Sequence, residues 1–302
     1  MTVIEAVPNI SEGRRGDVLT ALADAVNQVP DVFLLNTSAD PSHNRCVLSI
    51  VGPPAPLLDA LLDIYEVALQ SIDLRTHQGV HPRIGTVDVI PFVPISGVSM
   101  EQCVQIAHRL AEKIGRELKI PVYLYGEAAT RPAFENLAHI RKGGFEQLGE
   151  LIEKDPSKKP DFGPIRIHPT AGALAVGARQ LLIAFNVYLE SSDVEIAREI
   201  AASIRESGGG FAGIKALGFY IEHRDRAQVS MNMTAYRQSP LLQIFNRICA
   251  EAHRLGIEVN SSEIVGLAPQ DALEEGALEA LRLKNFDPDQ ILENSIHKAL
   301  ET

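Results

Sequence analysis

His77, His81, Arg75 and Arg83 crowd into one short segment just ahead of an apolar run, Val87 to Phe92. Imidazole is the side chain whose ordinary pKa lies nearest neutrality, so it gives and takes protons without extensive tuning. Guanidinium beside it supplies fixed charge and a fork of donors shaped for carboxylates. A loop that feeds a buried strand is held by that strand, and its polar side chains can be aimed at a ligand. The segment reads as an active site for an anionic substrate. His81, bracketed by Arg75, Arg83, Gly79 and Gly85, is the candidate for proton transfer, against the plainer reading of a structural histidine. His77 and His81 would share a face on a helix and could then hold a metal, but Gly79 and Pro82 argue against a helix and no third ligand is adjacent. No metal is expected.

Three further segments carry polar groups at the ends of apolar runs. Glu5 to Gly13, with Asn9 at its centre, is either a turn and helix cap or a hydrogen-bonding loop. Asp40 to Arg45, with His43, is either a turn before a strand or part of a ligand site. Lys158 to Ala173 holds three prolines and two glycines, which makes it a constrained loop: a hinge, or the wall of a cleft at a subdomain junction. Gly208 to Gly210 lack the preceding strand and following lysine of a phosphate loop, and there is no dinucleotide fingerprint.

The elements that must position these groups follow from period. Val3 to Val7, Val32 to Leu35, Val47 to Val51, Val87 to Phe92 and Val122 to Tyr125 read as strands. Val18, Leu19, Leu22 and Val26, then Leu57 to Leu69, recur at helical spacing, and Ser99-x-x-Gln102 is a capping box before a third helix. The order is β-α-β-β-α-β with an additional α-β. The second half repeats it: Leu181 to Leu189, a helix capped by Ser192-x-x-Glu195, a hairpin of Ala216–Ile221 and Val229–Met233, a helix from Leu241 to Leu255 ended by Gly256, and a strand from Ile257, with helices from Pro269 and Pro288 closing the chain. The fold class is α/β (α+β): two ferredoxin-like βαββαβ subdomains, each a sheet with helices on one face, the bare sheet faces covering each other.

Composition narrows the classes. At 302 residues the chain exceeds the size, about 250–300 residues, at which one core stops growing. A formal charge of −11 disfavours a nucleic-acid partner. Any anionic ligand must then be caught by a local arginine cluster. Cys46, Cys103 and Cys249 follow no metal or redox spacing. The N-terminus shows no basic segment followed by a long apolar one, and no run of about 18 apolar residues occurs. A cytoplasmic protein without membrane contact is expected.

Taken together the segments resemble one family, the formiminotransferase domain of glutamate formimidoyltransferases. The resemblance is carried by Glu5-x-Val-Pro-Asn-x-Ser-Glu-Gly13, Asn44-Arg45, and Arg75-x-His77-x-Gly79-x-His81-Pro82-Arg83-x-Gly85-x-x-Asp88-Val89. Pro121 to Ala128, Asp161 to Pro164, Gly177 to Arg179 with Leu182 to Asn186, Ala227 to Asn232 and Val265 to Pro269 extend it. It implies subdomains 1–179 and 180–302, folate in the groove between them, and a homodimer. It also implies transfer of the formimino group of N-formimino-L-glutamate to tetrahydrofolate as co-substrate, within histidine degradation and one-carbon metabolism. The family's catalytic histidine carries over to His81. Its folate-binding loop carries over to Gly163, Pro164, Ile165, Arg166, Ile167, His168, Pro169, Thr170, Ala171 and Gly172. From the residues themselves, Arg45, Arg75 and Arg83 are candidate carboxylate clamps, with Asn9 and His43 as further substrate contacts. Family members carry acidic residues where Asn36 and Ser38 stand, which leaves Asp40 as the candidate to orient the imidazole. A chain ending at Thr302 is expected to be the stand-alone transferase, its cyclodeamination step left to another protein. Formyl transfer between 5-formyltetrahydrofolate and glutamate, or folate binding without turnover, are the alternatives.

Overall fold

The computed structural model of the chain describes residues 2–79, 82–273 and 276–301. His81 and its neighbour Val80 therefore lie outside the described residues. The chain divides into two units, Met1–Gln180 and Leu181–Thr302, each built on its own sheet.

The first unit runs β1 (Val3–Ala6), β2 (Asn9–Ile10), α1 (Gly16–Asn27), β3 (Phe33–Asp40), β4 (Arg45–Gly52), α2 (Pro54–Ser71), β5 (Val87–Ser96), α3 (Met100–Glu117), β6 (Val122–Gly126), α4 (Leu137–Arg141), α5 (Gly144–Lys154) and β7 (Leu174–Ala178). Pro8 splits the first strand: β1 and β2 both pair antiparallel with β4 on one side and β5 on the other. The sheet order β3-β4-β1/β2-β5 is that of a ferredoxin-like βαββαβ unit, and β7 then β6 extend it in parallel beyond β5.

Alternation along the strands sorts the side chains. Ile4, Ala6, Leu48, Ile50, Phe92, Leu124 and Val176 join one core with Leu22 and Val26 of α1, Leu57, Leu61 and Tyr65 of α2, and Ile106, Leu110 and Ile114 of α3. Each of these large side chains contributes about 1.5–3 kcal/mol by leaving water. The capping box expected at α3 is present: the Gln102 amide donates to Ser99 Oγ at 3.2 Å and the Ser99 amide to Gln102 Oε1 at 2.8 Å. Glu5, Asn9, Arg45 and Ser49 alternate with core residues on the same strands, which turns them to the other sheet face.

The expectation of helices on one face only is corrected here. Phe134, Ile140 of α4, and Leu148 and Ile152 of α5 pack on Val89, Tyr123, Tyr125 and Ala175, a second core on the opposite face of β5, β7 and β6. The strand reading is also corrected. The half does not close at Tyr125, because β7 follows later in the chain and inserts between β5 and β6.

The second unit runs β8 (Ile183–Leu189), α6 (Val194–Ile204), β9 (Ile214–Ile221), β10 (Arg226–Met233), α7 (Leu241–Arg254), β11 (Val259–Val265), α8 (Ala277–Ala280) and α9 (Leu292–Leu300). Its order β11-β8-β10-β9 is again ferredoxin-like and fully antiparallel. Ile183, Phe185 and Val187 meet Ile200, Ile244 and Phe245 in its core. Two local readings shift. The cap of α6 is Asp193, whose carboxylate accepts from the Glu195 amide at 2.9 Å, not Ser192. Pro269 opens only a single turn, Gln270–Ala272, rather than a helix.

Candidate functional site

The segments singled out in the first unit are stitched to one another through backbone groups. The Ser11 amide donates to the Thr86 carbonyl at 2.8 Å, and the Thr86 amide donates to Ala171 at 3.0 Å. Ser11 Oγ donates to the Gly85 carbonyl at 2.7 Å. The Leu74 amide donates to Thr170 at 2.9 Å and the Ala173 amide to Ile84 at 2.8 Å. The loop ahead of β5, the β2–α1 connection and the Gly163–Gly172 loop are thus one junction. Gly85 is where they pass closest: a Cβ there would stand 2.0 Å from the Ala173 carbonyl oxygen.

The β3–β4 turn joins the junction through Asn44. Its Oδ1 accepts from the Gly13 amide and its Nδ2 donates to the Gln78 carbonyl, both at 3.0 Å. Asn44 itself sits at φ +47°, a left-handed conformation that asparagine tolerates well among non-glycine residues. His77 donates from Nε2 to the Asn44 carbonyl at 3.0 Å, and its Nδ1 accepts from Arg83 Nε at 2.9 Å. Arg83 continues to Glu146 of α5, at 3.0 Å from Nη2 to Oε1. Arg75 goes elsewhere. It folds back on Asp73 at 2.6 Å, and its side chain is 63% exposed.

Cross-strand from Arg45, Asp40 ends β3. Its Oδ2 lies 2.5 Å from His43 Nδ1, and its Oδ1 accepts from the Ser42 and His43 amides. Burial works against ionising Asp40, but the hydrogen bonds from the His43 ring and amide outweigh it and hold the carboxyl at about 2. Among the described residues Asp40 therefore engages His43, and the orienting role expected for it toward His81 falls outside what the structure describes. Burial, then the like charge of Arg141, lowers Arg45, while Asp88 and Asp40 oppose that shift. Asp88, at the start of β5, is buried; it accepts from the Ile84 amide at 2.7 Å and is ion-paired with Arg141 of α4. Asn9 donates to the Val7 carbonyl at 2.9 Å on its own strand. Glu12 takes the Arg14 and Arg15 amides and the Arg15 guanidinium, so the β2–α1 turn is pinned on one buried carboxylate.

The Gly163–Gly172 loop is anchored at both ends and open in the middle. Gly163, at φ +82°, lies against the Ile120 carbonyl, and the Phe162 amide donates to Val122 at 3.2 Å. His168 and Gly172 exchange backbone hydrogen bonds of 3.1 and 2.9 Å. His168 Nδ1 accepts from the Ala171 amide at 3.0 Å, and burial pushes this imidazole below its ordinary value. Ile165, Arg166 and Pro169 between these anchors are exposed.

Several groups in this region escaped the sequence reading. Arg141 and Glu146 come from α4 and α5, which carry no signal in the polar segments. Glu5 sits mid-sheet, opposite Val51 and Val93. Burial raises its carboxyl to about 7, against the lowering influence of Arg179 and Ser49. The arrangement offers histidines engaged at fixed nitrogens and half-buried guanidinium groups on a rigid backbone frame. Such a frame suits recognition of carboxylates with local proton transfer. Both ring nitrogens of His77 are taken by protein partners, which sets it apart from a metal ligand. Among the described residues, no group of three histidine, cysteine or acidic side chains is arranged to hold a metal, and no helix is long and apolar enough to cross a membrane.

Comparison with known proteins follows the same two units. The family model for the formiminotransferase domain, N-terminal subdomain, matches residues 3–179, and that for the formiminotransferase domain matches residues 184–291. The chain is 45% identical over 296 residues to a glutamate formimidoyltransferase of Streptococcus pyogenes serotype M1, covering 97% of this chain and 98% of that protein. It is 44% identical over 301 residues to a glutamate formimidoyltransferase of Thermoplasma acidophilum, covering 99% of both. A formimidoyltransferase-cyclodeaminase of Rattus norvegicus is 41% identical over 281 residues, which span 91% of this chain and 52% of that longer protein. The chain belongs to the formiminotransferase family, and its match spans both units.

Proposed function

We propose that the protein moves the formimino group of N-formimino-L-glutamate to the N-5 amine of tetrahydrofolate, releasing glutamate. The observation that carries this reading is the likeness of 44–45%, over nearly the whole of both chains, to two proteins named glutamate formimidoyltransferase. The joined loops of the first unit support it, since they bring Arg45 and Arg83, the latter already holding the Glu146 carboxylate, beside a histidine-rich segment. Attack of the amine on the amidine carbon gives a tetrahedral adduct. Collapse requires a proton on the departing glutamate nitrogen and loss of one from the attacking amine. His81 is assigned as the shuttle for both. General acid–base help of this kind contributes about 10²–10⁴-fold, and holding two substrates together adds a proximity term. The Gly163–Gly172 loop is assigned to the folate, with Asn9, His43 and Arg75 as further contacts of the glutamate moiety.

The test is glutamate release measured with formimino-folate formation, without added metal, for the parent and His81→Ala. Equal turnover in both would remove His81 from the chemistry. Turnover with 5-formyltetrahydrofolate and glutamate alone would replace formimino by formyl transfer.

A further inference from the structure

We propose that His77 is a positioning residue, a neutral latch wedged between Arg83 and the Asn44 carbonyl that fixes the histidine-bearing loop and lets go when its ring takes a proton. The geometry allows one form of the ring. Arg83 Nε can only donate, so Nδ1, at 2.9 Å, must present its lone pair. The Asn44 carbonyl can only accept, so Nε2, at 3.0 Å, must carry the hydrogen. A second ring proton would set N–H against N–H at Arg83 and bring two positive charges together.

The latch bears on the site through both partners. Through Arg83 it reaches Glu146, and the Arg83 carbonyl accepts from the Phe145 amide at 2.8 Å. Through Asn44 it reaches Gly13 and Gln78. Gly79, two positions before His81, lies so close to the turn that a Cβ on it would meet the His43 carbonyl oxygen at 2.2 Å. Losing the bond from Arg83 to the His77 ring leaves the guanidinium held by the His77 backbone carbonyl, at 3.2 Å, and by Glu146.

The charged groups facing the ring are Arg83 on its own loop, Glu12 and Arg14 from the β2–α1 connection, and Glu146 from α5. Burial leads in holding the imidazole below its ordinary value, with Arg83 and Arg14 adding and the Asn44 carbonyl and Glu12 opposing. At neutral pH the ring is uncharged and the latch is closed.

The first measurement needs no turnover. Nitrogen-resolved NMR of ¹⁵N-histidine-labelled protein, assigned through ring-to-backbone correlations, is expected to show His77 as the Nε2–H tautomer above neutrality. Amide exchange at Leu74 and Thr86, corrected for intrinsic rates and referred to β10, is expected to speed up as pH falls below the ordinary imidazole value, by at most about tenfold per pH unit. His77→Gln keeps a donor and an acceptor but cannot titrate, and this pH dependence should vanish in it. An Nδ1–H or charged ring at neutral pH, or the same dependence in His77→Gln, overturns the latch. The kinetic arm rests on the proposed transfer. There His77→Gln is expected to lose about threefold in kcat/KM, mostly in KM, and to lack the acid-side rise in KM expected of the parent. An unchanged acid-side rise in KM would count against the latch. A parent without formimino transfer would count against the proposed function and leave the NMR and exchange results to decide the latch.

Discussion

Asp40 sets its carboxylate 2.5 Å from the Nδ1 of His43, and the same side chain takes the two amides that begin the turn between β3 and β4. One carboxylate thus shapes the turn and fixes a ring within it. Asp40→Asn is expected to cost about 1 kcal/mol, a modest figure because the carboxylate is half exposed and water screens the pair. The folded carboxyl is held at about 2, below its ordinary 3.8, so its contribution is complete above the ordinary value and disappears as pH falls through about 2. Urea unfolding of parent and variant should show a gap near neutrality that closes in this acid range. A gap independent of pH would contradict the assignment.

Glu5 has the opposite sign. Burial raises its folded carboxyl from 4.5 to about 7, so the folded state holds a proton that the unfolded chain has released. Its share of stability is present below the ordinary value and is lost as pH rises through about 7. Glu5→Gln should flatten that decline and be the more stable protein at alkaline pH, by up to roughly 3 kcal/mol. Denaturation across this window checks it, and parallel curves for the two proteins would refute it.

Gly85 and Gly16 make a matched contrast. A Cβ at Gly85 would stand 2.0 Å from the Ala173 carbonyl oxygen, whereas one at Gly16 meets nothing within 4 Å. Gly85→Ala must push the Gly163–Gly172 loop away from β5, at about 2–4 kcal/mol, and on the proposed assignment of that loop weaken folate binding with it. Gly16→Ala, at the start of α1, is expected to be neutral or slightly stabilising. Thermal unfolding with a folate titration distinguishes them; equal effects would mean that the junction yields.

Much of this architecture is legible in the sequence, for identifiable reasons. The stripes of α1, α2, α3, α6 and α7 repeat at helical spacing, and Ser99 and Gln102 announce their own cap. The β9–β10 hairpin is framed by Glu222–Arg224 and by Asp225 at φ +47°. β7 stayed hidden because Leu174–Ala178 is short, rich in alanine and glycine, and buried on both faces, so it lacks alternation and offers Val176 as its single β-branched side chain. α5 opens on two glycines at positive φ, Gly143 and Gly144, which mask the helical spacing of Leu148 and Ile152. The polar segments stood out by residue type, but their mutual hydrogen bonds run between loops far apart in the chain. Arg75 shares its segment with Arg83 yet pairs with Asp73, because a carboxylate two residues away was the nearer partner.

The position of β7 makes the Gly163–Gly172 loop more than surface decoration. After α3 the chain lays down β6 one strand-width away from β5, leaving a slot in the sheet, and only after the excursion through α4 and α5 does it return to fill that slot. The loop is the leader of this closing strand. Its shape is set by the last long-range pairing of the unit, the kind of contact that forms slowly. A protease cut within the loop would free the keystone of the sheet, where a cut in an ordinary connection would merely trim an edge.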